Sequence, residues 1–235
     1  MRRFRYSWTP VFPAFALLTE VPTRPSRPSR IAAVAALLLG FARVAPAASA
    51  GPAFDCAKAE GTVQKLICQD AGLAALDRKL DAAYKGAVAK AKGSTLGVLK
   101  AEQRGWIKGR DECWKATKAT PTYVTESVVV DDPRACTEWS ISLRIAELQV
   151  KYQLVPAQPL VRYACNGNPA NEVVAQLFDT APPAGRFERG DQTVVGYLVK
   201  TPDGPRYEGQ NLRYAANGKD ARIRWLAEDL ACKVQ

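Results

Sequence analysis

The chain contains no histidine, and its only methionine is Met1. Without imidazole there is no Ser-His-Asp nucleophile, so Ser140 and Ser142 lack a base. The same absence removes every histidine-ligated zinc site, and no two cysteines form a CxxC pair. No Gly-rich phosphate loop and no aromatic-basic stripe is present, which argues against a nucleotide or nucleic-acid partner. Neither a cofactor nor a metal is expected. The apolar run Ile31–Ala42 has 12 residues, whereas a bilayer core needs about 20.

That run follows Arg24, Arg27 and Arg30 and leads to Ala48-Ser49-Ala50, the small-residue pattern a signal peptidase accepts. The expectation is a signal peptide over residues 1–50, cleaved near Ala50, and a periplasmic or secreted mature protein. No cysteine follows the run closely, so a lipid anchor and stable membrane attachment are not expected. Apolar residues and prolines precede the basic cluster, and a start at Val21 would remove them.

Basicity is also scarcer than it first looks. Residues 1–50 hold seven basic residues and Glu20; without them 26 Lys and Arg face 22 Asp and Glu, and the net charge falls from +10 to +4. The remaining length suits one large domain or two small ones. Six cysteines allow about 15 pairings, among which sequence does not choose. Spacing groups Cys56 with Cys68, Cys113 with Cys136 and Cys165 with Cys232. Loops of those lengths would contribute roughly 3, 3 and 4 kcal/mol.

The period of the hydrophobic pattern changes along the chain. Leu73, Leu76, Leu80, Tyr84 and Val88 recur at three and four residues, a buried helix face. Thr62 is positioned to cap a short helix through Cys68. Ser94 or Thr95 can cap another carrying Leu96, Leu99, Trp106, Ile107 and Cys113. A loop from Thr117 to Arg134 precedes a last helix with Trp139, Leu143, Ile145, Ala146 and Leu148. Residues 153–160 carry two prolines and read as a linker. Beyond it, short alternating runs predict eight strands, Val161–Cys165, Glu172–Phe178, Gly185–Arg189, Thr193–Lys200, Arg206–Glu208, Asn211–Ala215, Arg222–Trp225 and Ala231–Val234. The expected fold is α+β in two domains. A disulfide-stapled helical domain spans residues 54–152, and a small antiparallel β-barrel spans residues 161–235.

Two families enter on particular residues. Phe54-Asp55-Cys56-Ala57-Lys58-Ala59, Val63–Cys68, Leu73–Asp77, Leu80, Ala83-Tyr84 and Gln103–Cys113 resemble the LprI-like N-terminal domain. Tyr163-Ala164-Cys165, Gly204, Tyr207, Trp225 and Cys232 resemble the MliC-like domain of C-type lysozyme inhibitors over residues 161–234. The second resemblance implies a plug in the lysozyme cleft, made by a Ser-Gly-x-x-Tyr loop and a Trp-x-Lys-Gly lysine. Lysozyme hydrolyses glycosides with two carboxyl groups, which a hydroxyl and an ammonium can engage.

This chain departs at both points. Its loop reads Asp203-Gly204-Pro205-Arg206-Tyr207, and Ala227 stands where the lysine would. A carboxylate brought against the enzyme's carboxylates is repelled unless one takes a proton. The resemblance still makes C-type lysozyme the expected partner. Its contact residues would be Asp203, Gly204, Pro205, Arg206 (as substitute cation), Tyr207 and Trp225. The alternative is a non-inhibitory envelope module for peptidoglycan or another protein. Trp106, Arg110 and Asp111 could form a binding surface, but the favoured reading is structural, with Trp106 in the core and Arg104, Arg110 and Asp111 tying helices together. Asp131-Asp132 and Glu228-Asp229 read as solvated charges, because nothing organises them for glycoside cleavage. An enzyme is not expected.

Overall fold

A computed structural model describes residues 50–235. The expected signal segment and the alternative start at Val21 fall outside that range, except for Ala50.

The first part is helical. A 3₁₀ turn at Cys56–Lys58 leads into α1 (Thr62–Gln69), which buries Val63 and Ile67 one turn apart. α2 (Ala71–Lys90) starts at Asp70, whose carboxylate accepts the Leu73 amide at 2.9 Å. It turns Leu73, Leu80, Ala83 and Ala87 inward. α3 (Ser94–Asp111) buries Leu99, Gln103 and Arg110 and runs into a 3₁₀ turn at Glu112–Lys115. Strands β1 (Thr122–Tyr123) and β2 (Val129–Val130) then form a two-stranded ribbon. α4 (Pro133–Lys151) follows, capped by Asp132, with Pro133 in the first turn where its missing N–H costs nothing. Ile67, Leu73, Leu99, Ile141 and Leu148 form the centre of this core, each fully buried. Disulfide Cys56–Cys68 holds the first 3₁₀ turn on α1, and Cys113–Cys136 joins the second to α4.

Three local expectations change. Gly61, not Thr62, caps α1, and Thr62 is already helical. Neither Ser94 nor Thr95 caps α3; the chain enters through Gly93 at φ 56°, a left-handed conformation glycine adopts at little cost. The expected Thr117–Arg134 loop holds a β-ribbon and ends at the start of α4.

The second part is a closed antiparallel barrel in which each strand pairs with the next. Its strands are β3 (Val161–Cys165), β4 (Asn168–Phe178), β5 (Ala184–Arg189), β6 (Gln192–Thr201), β7 (Gly204–Gly209), β8 (Leu212–Asn217), β9 (Asp220–Trp225) and β10 (Glu228–Val234). β10 closes the barrel on β3, where Cys165 and Cys232 stand opposite each other and form the third disulfide. Alternation sends Ala221, Ile223 and Trp225 inward while Asp220, Arg222 and Arg224 face out. Phe187, Leu212, Tyr214, Ile223 and Trp225 fill the interior. The α+β fold expected from the sequence, a stapled helical part followed by a small barrel, is the observed one.

Helical part and barrel form one compact unit. Ala146 and Val150 of α4 pack on Phe178 of β4 and Ala184 of β5, with Val155, Val195 and Tyr197 around them. The expected linker is held as well: Gln158 donates its amide to the Leu177 carbonyl at 2.8 Å, and Ala157 bridges Phe178.

Candidate functional site

The hairpin joining β6 to β7 carries Asp203 to Tyr207, five of the six sequence-predicted contact residues; Trp225 ends β9. Thr201 Oγ1 donates to the Gly204 carbonyl at 2.7 Å, and Gly204 sits at φ 113°, which closes the turn. At its tip the Asp203 side chain is 90% exposed, and Pro205 is also exposed. Tyr207 turns inward, with its ring centroid 5.7 Å from Phe187 and 6.0 Å from Tyr214. Trp225 is buried, and its indole N–H donates to Gln192 Oε1 at 2.8 Å. Asp203, Gly204 and Pro205 of the six thus form the exposed tip, and Arg206 faces outward beside them, whereas Tyr207 points into the barrel. Trp225 lies at the opposite end of the barrel, paired with Leu212 and Glu228, so the structure does not bring it to the expected contact surface.

Arg206 is occupied. Its Nε donates to Glu208 Oε1 at 2.8 Å and its Nη2 to Ser127 Oγ at 3.0 Å, while Nη1 lies 4.0 Å from Asp203 Oδ2. The residue expected to act as a free cation is part of a clamp. Glu208, outward on β7 and 1% exposed, accepts the Ser127 amide at 2.9 Å and the Ser127 hydroxyl at 2.5 Å. Burial pushes the Glu208 carboxyl up, but hydrogen bonds from Ser127, Thr125 and Arg206 outweigh it and hold its pKa below the usual glutamate value. Glu126 of the same loop pairs with Arg213 on β8. The β1–β2 loop is therefore fastened to β7 and β8, beside the predicted binding loop.

Sequence reasoning missed Glu126, Ser127, Glu208 and Arg213. The one available signal was the length of the Thr117–Arg134 segment, since long loops in compact proteins are commonly functional. Its destination could not be read.

Next to the hairpin tip lies a depression of about 590 Å³ on the outer side of β7–β10. Arg206, Arg213, Arg222 and Arg224 line it together with Asp203 and Asp229. Cross-strand register sets Arg213 opposite Arg224, and Arg224 opposite Asp229. Arg224 Nη1 is 3.6 Å from Asp229 Oδ2. Arg222 is exposed and has no ion pair among the described residues.

In the helical motif, Trp106 is half-buried beneath the Arg110 guanidinium, 5.4 Å from its ring centre. Arg110 Nε and Nη2 donate to Asp111 Oδ1 at 3.0 and 2.7 Å, and Gln64 Nε2 to Asp111 Oδ2 at 3.2 Å. Arg110 and Asp111 thus tie α3 to α1, whereas Arg104 is solvent-exposed and takes no part. Of the adjacent acids, Asp132 caps α4, Glu228 pairs with Arg189 at 2.7 Å, and Asp229 faces Arg224. All six cysteines are oxidised in pairs, which leaves no thiol nucleophile.

These features define a disulfide-stapled α+β protein whose distinctive surfaces are suited to binding. Residues 56–155, nearly the whole helical part, match the family model described as Lysozyme inhibitor LprI. The chain is also similar to proteins named Lipoprotein LprI from Mycobacterium bovis and from Mycobacterium tuberculosis, each 27% identical over 189 residues. Each of those matches covers 79% of this chain and 85% of the relative. Similarity of that length continues past the helical part. The relatives are named as lipoproteins, but Cys56, the first cysteine here, is bonded to Cys68 and offers no free sulfur for a lipid. Among the described residues no helix is long and apolar enough to cross a membrane.

Proposed function

We propose that this chain is an exported, non-catalytic inhibitor that binds C-type lysozyme in the bacterial envelope, after loss of a signal segment near Ala50. The observation that carries the reading is the match of residues 56–155 to a lysozyme-inhibitor family. The MliC-like resemblance of residues 161–234 and their closed barrel support it from the other half of the chain.

The contact surface is the Asp203-Gly204-Pro205 tip with the arginine-lined depression beside it. Its cation is Arg222 rather than Arg206, because Arg206 is consumed by Glu208 and Ser127 while Arg222 stands exposed in the same depression. A guanidinium can engage a carboxylate through two parallel hydrogen bonds, and lysozyme carries two carboxyl groups at its reacting centre. Asp203 is partly balanced by Arg206, which reduces its repulsion of those groups.

A second reading rests on the family match itself, which covers the helical part. There Trp114 and Tyr123 expose 53% and 71% of their surfaces, the kind of aromatic anchor that carries interface energy. Lysis of bacterial cell walls by C-type lysozyme separates the two. With the full chain added, lysis should stop near stoichiometry. Arg222→Ala with Asp203→Ala should abolish that effect if the barrel surface binds, and Trp114→Ala with Tyr123→Ala should abolish it if the helical surface does. Undiminished lysis in the presence of folded, oxidised wild-type protein would discard the inhibitor reading.

A further inference from the structure

A second cavity lies in the helical part, away from the barrel surface. It occupies about 470 Å³ between the N-terminal segment, α1, α2 and α3. That volume is within the range of about 300–1,000 Å³ typical of small-ligand sites. Phe54, Leu80, Tyr84, Trp106 and Ile107 supply apolar and aromatic surface. Asp77, Gln103 and Arg110 bring their polar ends to the same space, and all three are at least nine-tenths buried.

The polar groups are not used up by one another. Asp77 Oδ2 accepts the Ala53 amide at 2.9 Å, but Oδ1 has only the Arg110 Nη1 at 3.8 Å, beyond hydrogen-bond length. Arg110 gives its Nε and Nη2 to Asp111, so Nη1 has no hydrogen bond among the described residues. Gln103 Oε1 accepts from Arg144 Nε at 3.0 Å, and the Gln103 Nε2 likewise has no partner among the described residues. One carboxylate oxygen, one guanidinium nitrogen and one carboxamide nitrogen therefore converge beside aromatic rings with hydrogen-bonding capacity left. Burial raises the pKa of Asp77 above the ordinary aspartate value, the mark of a carboxyl short of partners.

The chemistry selects the ligand. An anion would meet Asp77 and also Asp55 and Asp81 at the cavity wall, and a cation would meet Arg110 and Lys58. A neutral molecule whose groups both donate and accept satisfies acid, base and amide together. Sugar hydroxyls have that property, and the apolar face of a pyranose ring suits an aromatic wall. An acetamido arm fits further: its N–H can meet Asp77 Oδ1, its carbonyl the Gln103 or Arg110 nitrogen, and its methyl the Leu80 and Ile107 side chains. We propose that this cavity binds a neutral N-acetylated aminosugar at the end of, or within, a short glycan.

The test is a titration of the full chain with tri-N-acetylchitotriose, followed by the ¹H–¹⁵N signals of the Trp106 indole and the Ile107 amide, with maltotriose in parallel. The expected result is a saturable shift with chitotriose and none with maltotriose. Asp77→Asn should weaken binding at least tenfold. Because Asp77 also holds the Ala53 amide, Ile107→Glu provides a second variant at the exposed rim, where a charge blocks entry without touching the core. It too should weaken binding at least tenfold. Absence of a saturable shift, an equal response to maltotriose, or undiminished binding by Ile107→Glu would each overturn the proposal.

Discussion

The carboxylate of Glu208 on β7 accepts both the amide and the hydroxyl of Ser127, a residue 81 positions earlier in the chain. Arg206, two residues away on the same strand face, closes the triangle by donating to both partners. This contact fastens a loop of the helical part to the barrel, next to the hairpin that presents Asp203. The shape of that surface depends on both parts of the chain.

Removing the carboxylate should be expensive. Glu208→Ala leaves Arg206 and the Ser127 donors without their acceptor. Because Arg206 keeps 21% of its side-chain surface exposed, the loss should be about 1–3 kcal/mol, the cost of leaving buried donors unsatisfied, rather than that of breaking a fully buried charge pair. The urea midpoint should fall accordingly with an unchanged slope. A loss below about 0.5 kcal/mol, the ordinary size of a surface substitution, would show that the clamp does not bear on folding.

The same carboxylate sets an acid limit. Its pKa is lower folded than the ordinary glutamate value of 4.5, so its stabilising contribution is complete above that value and disappears as pH falls through the folded pKa. Wild-type stability should decline across that acidic window, and Glu208→Gln should show a shallower decline from a lower starting point. Parallel pH profiles for the two proteins would contradict the assignment.

Of the three disulfides, Cys165–Cys232 should matter most. It closes a segment of sequence separation 67, against 12 and 23 for the others, and lies where β10 meets β3. Replacing both cysteines by alanine should cost about 4 kcal/mol, and the Cys56–Cys68 pair about 3. Thermal unfolding of the two variants measures the order, and a larger loss for Cys56–Cys68 would reverse it.

Gly209, at the end of β7, leaves no room for a side chain against β6. A Cβ there would stand 2.5 Å from the Val195 carbonyl oxygen and 2.8 Å from Val194 Cγ1. Backbone cannot give way as a flexible side chain can, so Gly209→Ala should destabilise the protein by about 1–3 kcal/mol, as overpacking does. An unchanged denaturation midpoint would mean that the strands separate freely there.

Much of the architecture was legible because it is written locally. Alternation with period two marked all eight barrel strands, and the three- and four-residue recurrence of Leu73, Leu80 and their neighbours marked α2. The cysteine groups suggested by spacing are the pairs that form. Helix starts were less legible. Thr62, Ser94 and Thr95 have capping side chains, but Gly61 and Gly93 occupy the cap positions. Cap choice depends on how the preceding chain arrives, and that is set by packing.

The candidate sites show the same division more sharply. The sequence by itself determined which residues form the β6–β7 hairpin and that its tip carries Asp203, because a hairpin is closed by neighbours in the chain. Only the tertiary structure decided that Arg206 is spent on Glu208 and Ser127, that Arg222 is left exposed, and that Asp77, Gln103 and Arg110 meet in one cavity. A side chain's free charge and free hydrogen-bonding capacity depend on what lies beside it, and those neighbours come from segments tens of residues away whose approach no local pattern encodes.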